Sequence, residues 1–336
     1  MSMLYGTMNR RRCVQTILML GAGLLSGVGM PTPTMAQQQS RVVIVKTENR
    51  KVGIKRAMAE FDLAGFKGMP VAIKANYNSA DPFPASTHPD TLKAMTQGLK
   101  AAGAGPMTLV ERSGMGDTAQ VLETMQAMDV AKEVGFNVVI MDDLRKEDFI
   151  RYSPPGSHWK NGFLLERHFV EAIRVVQTCC LKTHQYGGHF TLSLKNAVGA
   201  IAKIDPETGY NYMNELHNSP MQRTLVAEIS KVYRNDLIIM DGLEAFVDGG
   251  PHKGTKVKPG VIIVSTDPVA VDAVGVAILR MYGTTPEVSR GSVFDQEQIK
   301  RAAELGIGAR RASDIQLVPI GSDAQEFADR VQAELN

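Results

Sequence analysis

Short apolar segments alternate with longer amphipathic segments along the first half of the chain. Apolar runs bounded by turn residues predict buried β-strands, and apolar residues three or four positions apart predict helices. The predicted strands are Val42–Lys46, Met69–Lys74, Met107–Glu111 and Asn137–Met141. The predicted helices are Arg50–Phe61, Asp90–Ala102 and Thr118–Val134. This alternation predicts an α/β fold with a mainly parallel sheet flanked by helices.

The hydrophobic pattern becomes less regular after residue 150. The strands predicted there are Phe149–Ser153, Gly162–Glu166, Arg174–Leu181, Asp236–Met240 and Val261–Ser265. The predicted helices are Phe190–Ile201, Met221–Tyr233 and an apolar helix that Asp267-Pro268 opens and that ends at Met281. We therefore expect one α/β domain over residues 41–336, which allows a division into two packed lobes, 41–150 and 151–336.

The first 36 residues have the three parts of a cleavable export signal. Arg10–Arg12 precede the apolar stretch Thr16–Met30, and small residues up to Ala36 form a cleavage site. The arginines resemble the twin-arginine signal, from which Asn9 and Cys13 depart. The apolar stretch is too short and too glycine-rich for a stable membrane span. We expect a periplasmic or otherwise exported protein that uses the twin-arginine machinery, a route often taken by proteins that fold around a cofactor.

A short polar linker, Gln37–Ser40, leads into a mature chain that is close to neutral. The whole chain of 336 residues has a formal net charge of +2, to which the signal arginines contribute, and no sustained basic run. Nucleic acid is therefore not an expected partner. The mature chain keeps the adjacent Cys179 and Cys180 in an apolar run, which favours buried free thiols. Two cysteines cannot by themselves hold an iron–sulfur cluster.

Polar residues that follow two predicted strands are the first candidates for a binding site. Lys74 and Asn76 lie at the carboxyl end of a parallel strand, where ligands bind in open α/β sheets, although Lys74 could equally emerge into solvent. Gly114, Gly116 and Asp117 form a glycine-containing turn between a strand and a helix. Such a turn can bind a phosphate through its backbone N–H groups. Alternatively, Asp117 or the next residue only caps the helix.

The densest polar cluster follows the strand Arg174–Leu181. Lys182 and His184 end this strand, and Lys195 and Asn196 interrupt an otherwise apolar helix. Buried charges are costly unless they are paired or bind an ion of opposite sign. We expect anion binding or proton transfer here, with Lys182, His184 and Lys195 catalytic and Asn196 binding the ligand. A metal site at His184 and His189 is the alternative, but their spacing fits no familiar zinc pattern.

Acidic residues and glycines in the last third complete the candidate site. Asp241 ends a strand, and Gly249 and Gly250 lie in a loop that we assign to ligand binding. Asp272 is the only charged residue in the interior of an apolar helix, so it must be protonated, ion-paired or metal-bound. We consider it catalytic or, together with Asp241, a ligand of a divalent metal. A structural ion pair with a lysine is the alternative for Asp272, and helix capping already explains Asp267.

Several of these segments, in this order, resemble the domain-of-unknown-function 362 family. The resemblance covers most of the mature chain and rests on Val71–Asn76, Ser113–Asp117, Leu181–His184, Thr191–Gly199, Asp241-Gly242, Gly249–Pro251 and Ser265–Asp272. Ala75 stands where the family usually has proline. Some members carry a ferredoxin-type cluster domain with Cys-x-x-Cys runs, which this chain lacks, so their electron-transfer role does not extend to it. The resemblance supports the site but implies no particular reaction.

The sequence thus leads to three functional hypotheses. The first is an exported enzyme that binds a small anionic substrate through lysine, histidine and aspartate side chains, with or without a divalent metal. The second is a periplasmic solute-binding protein that uses the same pocket without catalysis. The third is an accessory protein of a redox or cofactor-assembly system.

Overall fold

The structure, a computed structural model, describes residues 39–336. The predicted export signal, residues 1–36, lies outside the described residues, as does the start of the predicted linker. The described residues form one compact unit.

A large mixed β-sheet forms the centre of this unit. The strands are β1 Ser40–Lys46, β2 Val71–Lys74, β3 Met107–Glu111, β4 Asn137–Ile140, β5 Phe149–Tyr152, β6 Phe163–Glu166, β7 Arg174–His184, β8 His189–Phe190, β9 Leu237–Gly249, β10 Gly254–Val257, β11 Val261–Ser265 and β12 Ile315–Ile320. The order across the main sheet is β12-β1-β11-β9-β7-β2-β3-β4, with β10 paired to β9 and β8 to β7. β5 and β6 form a separate antiparallel pair.

Along this path only β11 runs against its neighbours. It is antiparallel to both β1 and β9, whereas β1 is parallel to β12. The pairs from β9 through β7, β2 and β3 to β4 are all parallel. The prediction of a mainly parallel α/β sheet is confirmed. The carboxyl ends of β2, β3 and β7 consequently lie at the same edge of the sheet.

Helices cover both faces of the sheet. They are α1 Arg50–Met58, α2 Pro89–Ala101, α3 Thr118–Thr124, α4 Ala127–Val134, α5 His168–Glu171, α6 Ser193–Asn196, α7 Tyr212–Asn218, α8 Gln222–Ile229, α9 Pro268–Met281, α10 Pro286–Ser289, α11 Glu297–Glu304 and α12 Ser322–Leu335. Short 3-10 helices span Ala64–Phe66, Met141–Asp143, Lys146–Asp148, Ala197–Ala200, Val293–Asp295 and Ala312–Asp314. Between residues 39 and 336, no helix has the length and apolar character needed to cross a membrane.

Two hydrophobic cores lie on opposite sides of the sheet, as the alternation of side chains along a strand requires. Val42 and Ile44 of β1 pack into the core that contains α8, α9, α11 and α12. Val43 and Val45 pack into the core that contains α1, α2, α3 and α4. Strands with both faces covered read as continuous apolar runs, which explains why they could be predicted.

The lobes suggested for residues 41–150 and 151–336 do not appear as separate bodies. Strand β1, from the first range, lies between β11 and β12 from the second, and β2 pairs with β7. Neighbouring strands of the sheet therefore come from opposite sides of the proposed boundary at three places. The irregular pattern after residue 150 reflects the separate β5–β6 pair and the segments around the site.

The predicted helix Phe190–Ile201 is wrong as a single helix. Phe190 belongs to β8, and the Thr191 N–H donates to the Lys182 carbonyl oxygen at 2.9 Å, which extends the pairing with β7. Only α6 and the following 3-10 helix are helical. Contacts with β7 therefore override the local helical pattern.

Strands β7 and β9 continue well beyond their predicted ends. β7 runs to His184 and β9 to Gly249, with a register shift between Cys180 and Leu181. Their polar final residues resembled loop in the sequence, but β8 and β10 pair with these extensions. The polar strand ends carry site residues, which is why the hydrophobic pattern stopped early.

The adjacent cysteines are free and buried, which confirms the interpretation as buried thiols. Cys179 packs into the α9 side of the sheet and Cys180 into the α1 side. Burial raises the pKa of Cys180 to about 12, so its thiol is protonated at neutral pH. Neither thiol is an accessible nucleophile.

Candidate functional site

A cavity of about 510 Å³ opens at the carboxyl ends of β2, β3 and β7. Its lining includes the cations Lys74, Arg112, Lys182, Lys195 and Lys203, the histidines His184 and His217, and the asparagines Asn76, Asn78, Asn196, Asn211, Asn214 and Asn218. Within the described part of the chain, no aspartate or glutamate lines it. The structure thus brings together seven of the residues predicted from sequence: Lys74, Asn76, Gly114, Lys182, His184, Lys195 and Asn196.

Lys74 is neutralised by a partner that sequence reasoning missed. Its Nζ donates to Glu111 Oε1 at 2.8 Å and Oε2 at 2.7 Å, and both side chains are buried. Glu111 also accepts the Ala75 N–H at 2.7 Å. Burial lowers the pKa of Lys74 and raises that of Glu111, and each partner opposes the effect of burial on the other. The Lys74–Glu111 ion pair therefore stabilises the cavity wall, and Lys74 adds little net positive charge to the cavity.

Arg112 is a second residue that sequence reasoning missed. Its Nε donates to the Ile201 carbonyl at 3.0 Å and its Nη2 to the Val198 carbonyl at 2.7 Å. Burial lowers its pKa to about 10, so the guanidinium remains charged at neutral pH. Nη1 donates to no atom of residues 39–336. The sequence does contain a signal for both missed residues: Glu111 and Arg112 are consecutive charged residues at the end of an apolar strand.

Lys182 is held by neutral acceptors instead of a carboxylate. Its Nζ donates to Asn76 Oδ1 at 2.7 Å, to the Pro251 carbonyl at 3.2 Å and to the Ala85 carbonyl. Burial lowers its pKa to about 8. All three ammonium hydrogens have protein acceptors, so Lys182 supplies positive charge at a fixed place.

Lys195 differs from Lys182 in having no hydrogen-bond partner in the described part of the chain. No acceptor within residues 39–336 lies in hydrogen-bond range of its Nζ, and of the cavity cations only Lys74 forms an ion pair. Burial lowers the pKa of Lys195 to about 8, with further contributions from the charges of Arg112 and Lys182. Lys195 is therefore the cavity cation most in need of a bound anion.

Asp272 positions the segment that carries Lys195. Its Oδ1 accepts the N–H groups of Ser193 at 2.8 Å and Leu194 at 3.2 Å, and its Oδ2 accepts from Gln298 at 3.0 Å. These contacts correct the sequence hypothesis of a structural ion pair with a lysine. Burial raises the pKa of Asp272 to about 7. Because Asp272 does not line the cavity, its role is to anchor α6 to α9.

His184 lies in the cavity as a neutral imidazole. Burial lowers its pKa to about 2, and the positive charges of Lys195 and Lys182 act in the same direction. Its Nδ1 is buried and has no hydrogen-bond partner among the described residues. The Tyr186 ring packs edge-on against it, with ring centroids 5.8 Å apart. A bound anion would offset the nearby positive charge and make His184 a better proton acceptor.

A chain of amides connects the two strands that flank the cavity. Asn196 Nδ2 donates to Gln177 Oε1 at 2.9 Å and to the Thr178 carbonyl at 3.1 Å. Asn76 Nδ2 donates to Asn196 Oδ1 at 3.4 Å, and Asn76 Oδ1 accepts from Lys182. The two asparagines predicted as ligand-binding residues thus also fix the position of Lys182.

The glycine turn is only partly in the cavity. Gly114 lines it, and a Cβ at this position would overlap Asn78 Oδ1. Gly116 has a φ of +118°, and both Gly116 and Asp117 are exposed and outside the lining. Asp117 caps α3 by accepting the Gln120 N–H at 2.9 Å, which agrees with the alternative of a helix cap. The turn does not form the predicted phosphate loop around the cavity.

Gly249 and Gly250 serve close backbone packing. Gly250 has a φ of +66°, and a Cβ there would overlap the Thr183 carbonyl oxygen. This approach brings the Pro251 carbonyl within reach of Lys182. Gly249 lies beside a smaller neighbouring pocket that His184 also lines. The two glycines therefore support the site without lining the main cavity.

The two aspartates predicted as metal ligands lie on opposite faces of the sheet. Asp241 Oδ2 accepts from Arg50 Nε at 2.9 Å and from Thr91 Oγ1 at 2.5 Å, whereas Asp272 lies in α9. No group of three His, Cys, Asp or Glu side chains is placed to hold a metal ion between residues 39 and 336. Asp267 caps α9, as predicted, by accepting the N–H groups of Val269 and Ala270.

Comparison with known proteins identifies the family. The model of the family described as "Domain of unknown function (DUF362)" matches residues 71–277, more than half of the chain. The chain therefore belongs to this family, as its motifs predicted. No curated protein matches the chain.

One solved structure that resembles the chain is the lactate racemase apoprotein from Thermoanaerobacterium thermosaccharolyticum. The two share 16% sequence identity with a TM-score of 0.44. The similarity covers 68% of this chain and 54% of the racemase, so the chain spans about half the length of that protein.

Proposed function

We propose that this member of the DUF362 family binds a small molecule with a carboxylate or phosphate group in the cationic cavity. The proposal also assigns proton exchange with the bound molecule to His184. One observation carries it: buried cations converge on a cavity that no aspartate or glutamate of residues 39–336 lines. Buried charge without a counter-ion is costly, and an anionic ligand removes that cost.

The anion would contact the two buried cations that retain free donors. Within residues 39–336, Arg112 Nη1 and the whole ammonium group of Lys195 have no acceptor. Lys182 adds positive charge nearby. The amides of Asn211, Asn214 and other lining asparagines suit hydroxyl or carbonyl groups of the remaining ligand. A volume of about 510 Å³ is typical of sites for metabolite-sized molecules.

Thermal unfolding in the presence of inorganic phosphate and small carboxylates tests anion binding. A ligand at 100 times its Kd stabilises a protein by about 2.7 kcal/mol. We expect stabilisation of the wild type and of Lys132→Met, an exposed lysine of α4, but not of Lys195→Met. Equal stabilisation of Lys195→Met by every anion would contradict the proposed site.

Proton exchange separates an enzyme from a solute-binding protein. For a carboxylate that stabilises the wild type, nuclear magnetic resonance in deuterated water follows exchange of the proton on the carbon next to the carboxylate. We expect exchange in the wild type and its loss in His184→Gln with binding retained. Binding without exchange would make the protein a solute-binding protein and refute the role of His184.

We also propose that the chain is exported through the twin-arginine machinery. The proposal is supported by the arginines at residues 10–12 and the apolar stretch after them. Replacing all three arginines by lysine should retain the protein in the cytoplasmic fraction. An unchanged periplasmic fraction would refute the twin-arginine route.

A further inference from the structure

We propose that Lys195 forms a Schiff base with the carbonyl group of an anionic substrate of the α-keto acid class. The inference rests on the proposed function, because the substrate would occupy the same cationic cavity. It adds a covalent step and selects one of the four lysines that line the cavity.

The hydrogen bonds of the lysines distinguish Lys195 from its neighbours. Lys182 donates all three ammonium hydrogens to protein oxygens, and Lys74 is paired with Glu111. Either lysine would lose these contacts on becoming a neutral nucleophile. Among the described residues Lys195 has no acceptor to lose, so its amine is free to react with a ligand.

The surroundings of Lys195 favour its neutral form. Burial and the positive charges of Arg112 and Lys182 lower its pKa to about 8, which leaves a useful fraction of free amine near neutral pH. Desolvation and a neighbouring cation are the means by which proteins activate lysine for Schiff-base chemistry. Arg112 also has a free Nη1 for the carboxylate of the substrate.

His184 is placed to move the protons that this reaction requires. A Cβ on Gly188 would lie 2.8 Å from His184 Nδ1 and 3.1 Å from Lys195 Cε, so both side chains pack on the same glycine. The absence of a side chain at Gly188 allows this close approach. His184 is neutral and its Nδ1 has no partner within residues 39–336, so it can accept a proton once the bound anion offsets the charges of Lys195 and Lys182 that lower its pKa.

The reaction balances without an oxidant or reductant. The neutral Lys195 Nζ attacks the keto carbon, the C=O π electrons move to oxygen, and His184 passes one Nζ proton to this oxygen. His184 then passes the second Nζ proton to the resulting hydroxyl group, which leaves as water while the nitrogen lone pair forms the C=N bond. The carbonyl compound and the amine thus give an imine and one water molecule.

Reductive trapping tests the proposal. The purified protein is incubated with pyruvate or glyoxylate and sodium cyanoborohydride, and adducts are located by peptide mass spectrometry. We expect one dominant adduct at Lys195, formed faster as the pH rises from 7 to 9. The Lys195 adduct should also form in Lys132→Met. The other lysines should be modified only at background level.

Two controls separate this proposal from the proposed function. Lys195→Arg keeps the positive charge and should still be stabilised by phosphate, while it loses the adduct. If phosphate stabilises the wild type but no adduct concentrates at Lys195, the Schiff-base proposal is overturned and anion binding stands. If neither stabilisation nor an adduct occurs, both proposals fail.

Discussion

Replacing Asp272 by Asn isolates the electrostatic cost of one buried carboxylate. Asp272 is fully buried, and both backbone N–H donors of α6 bond to its Oδ1. An asparagine keeps this oxygen. Its new amide nitrogen faces Gln298, whose Oε1 has no partner in the described chain and can rotate to accept a hydrogen bond. The substitution therefore removes the ionisable group and preserves the contacts.

The size of the effect of Asp272 on the free energy of unfolding follows from its raised pKa. Burial raises the pKa of Asp272 from its ordinary value of 3.8 to about 7. Between these values the folded protein holds a proton that the unfolded chain has released, so stability falls by about 1.4 kcal/mol per pH unit. The stability that the protonated Asp272 contributes is fully present below pH 4 and is lost as the pH rises to 7. The free energy of unfolding of the wild type falls by about 4 kcal/mol in total over this range, whereas that of Asp272→Asn does not fall for this reason.

Urea denaturation of both proteins from pH 4 to pH 8.5 measures this effect. The difference in free energy of unfolding should be close to zero at pH 4 and should favour the variant by about 4 kcal/mol above pH 7. Asp272→Ala is the matched control. It also removes the carboxylate but leaves two backbone N–H donors without an acceptor, so it should be less stable than Asp272→Asn at every pH. Parallel stability curves for the wild type and Asp272→Asn would refute the reasoning.

Three further substitutions test the walls of the cavity. Glu111→Gln leaves the buried Lys74 without its carboxylate and should lower the free energy of unfolding by about 3 kcal/mol in urea denaturation; a loss below about 1 kcal/mol would contradict a charged pair. Gly199→Ala places a Cβ 2.5 Å from Lys74 Cε and should lower it by about 1–3 kcal/mol, while unchanged stability would show that Lys74 moves freely. Gly250→Ala places a Cβ against the Thr183 carbonyl at a φ of +66°, so thermal unfolding should occur at a lower temperature, and an unchanged midpoint would contradict the tight packing.

The elements with covered apolar faces were predictable from sequence, and those that contact the site were less so. Strand β11 and helix α9 have the predicted bounds because their patterns are unbroken and Asp267 caps the helix. The segment Phe190–Ile201 has a helical pattern too, but its start pairs with β7. Long-range pairing of this kind leaves no periodic signal in the segment itself.

The residue types of the site were predicted better than their roles. The lysines at the ends of β2 and β7 could be recognised as site candidates, because a charged side chain in a buried strand is costly unless it is paired or binds an ion. Their division into a paired Lys74, a fully bonded Lys182 and a free Lys195 depends on Glu111 and on carbonyl groups distant in sequence. Spacing along one chain does not encode such partners, nor the two backbone N–H groups of α6 that donate to Asp272.

The interior position of β1 sets an order of events during synthesis. Its two sheet neighbours, β11 and β12, begin at Val261 and Ile315, more than 200 residues later in the chain. Until the ribosome has made them, β1 has no strand to pair with, and pairing over such sequence distances is slow. The nascent chain therefore completes its sheet only around the end of translation. The residues ahead of β1 remain joined to an unpaired strand for most of elongation, which gives any receptor that reads them a long time to bind.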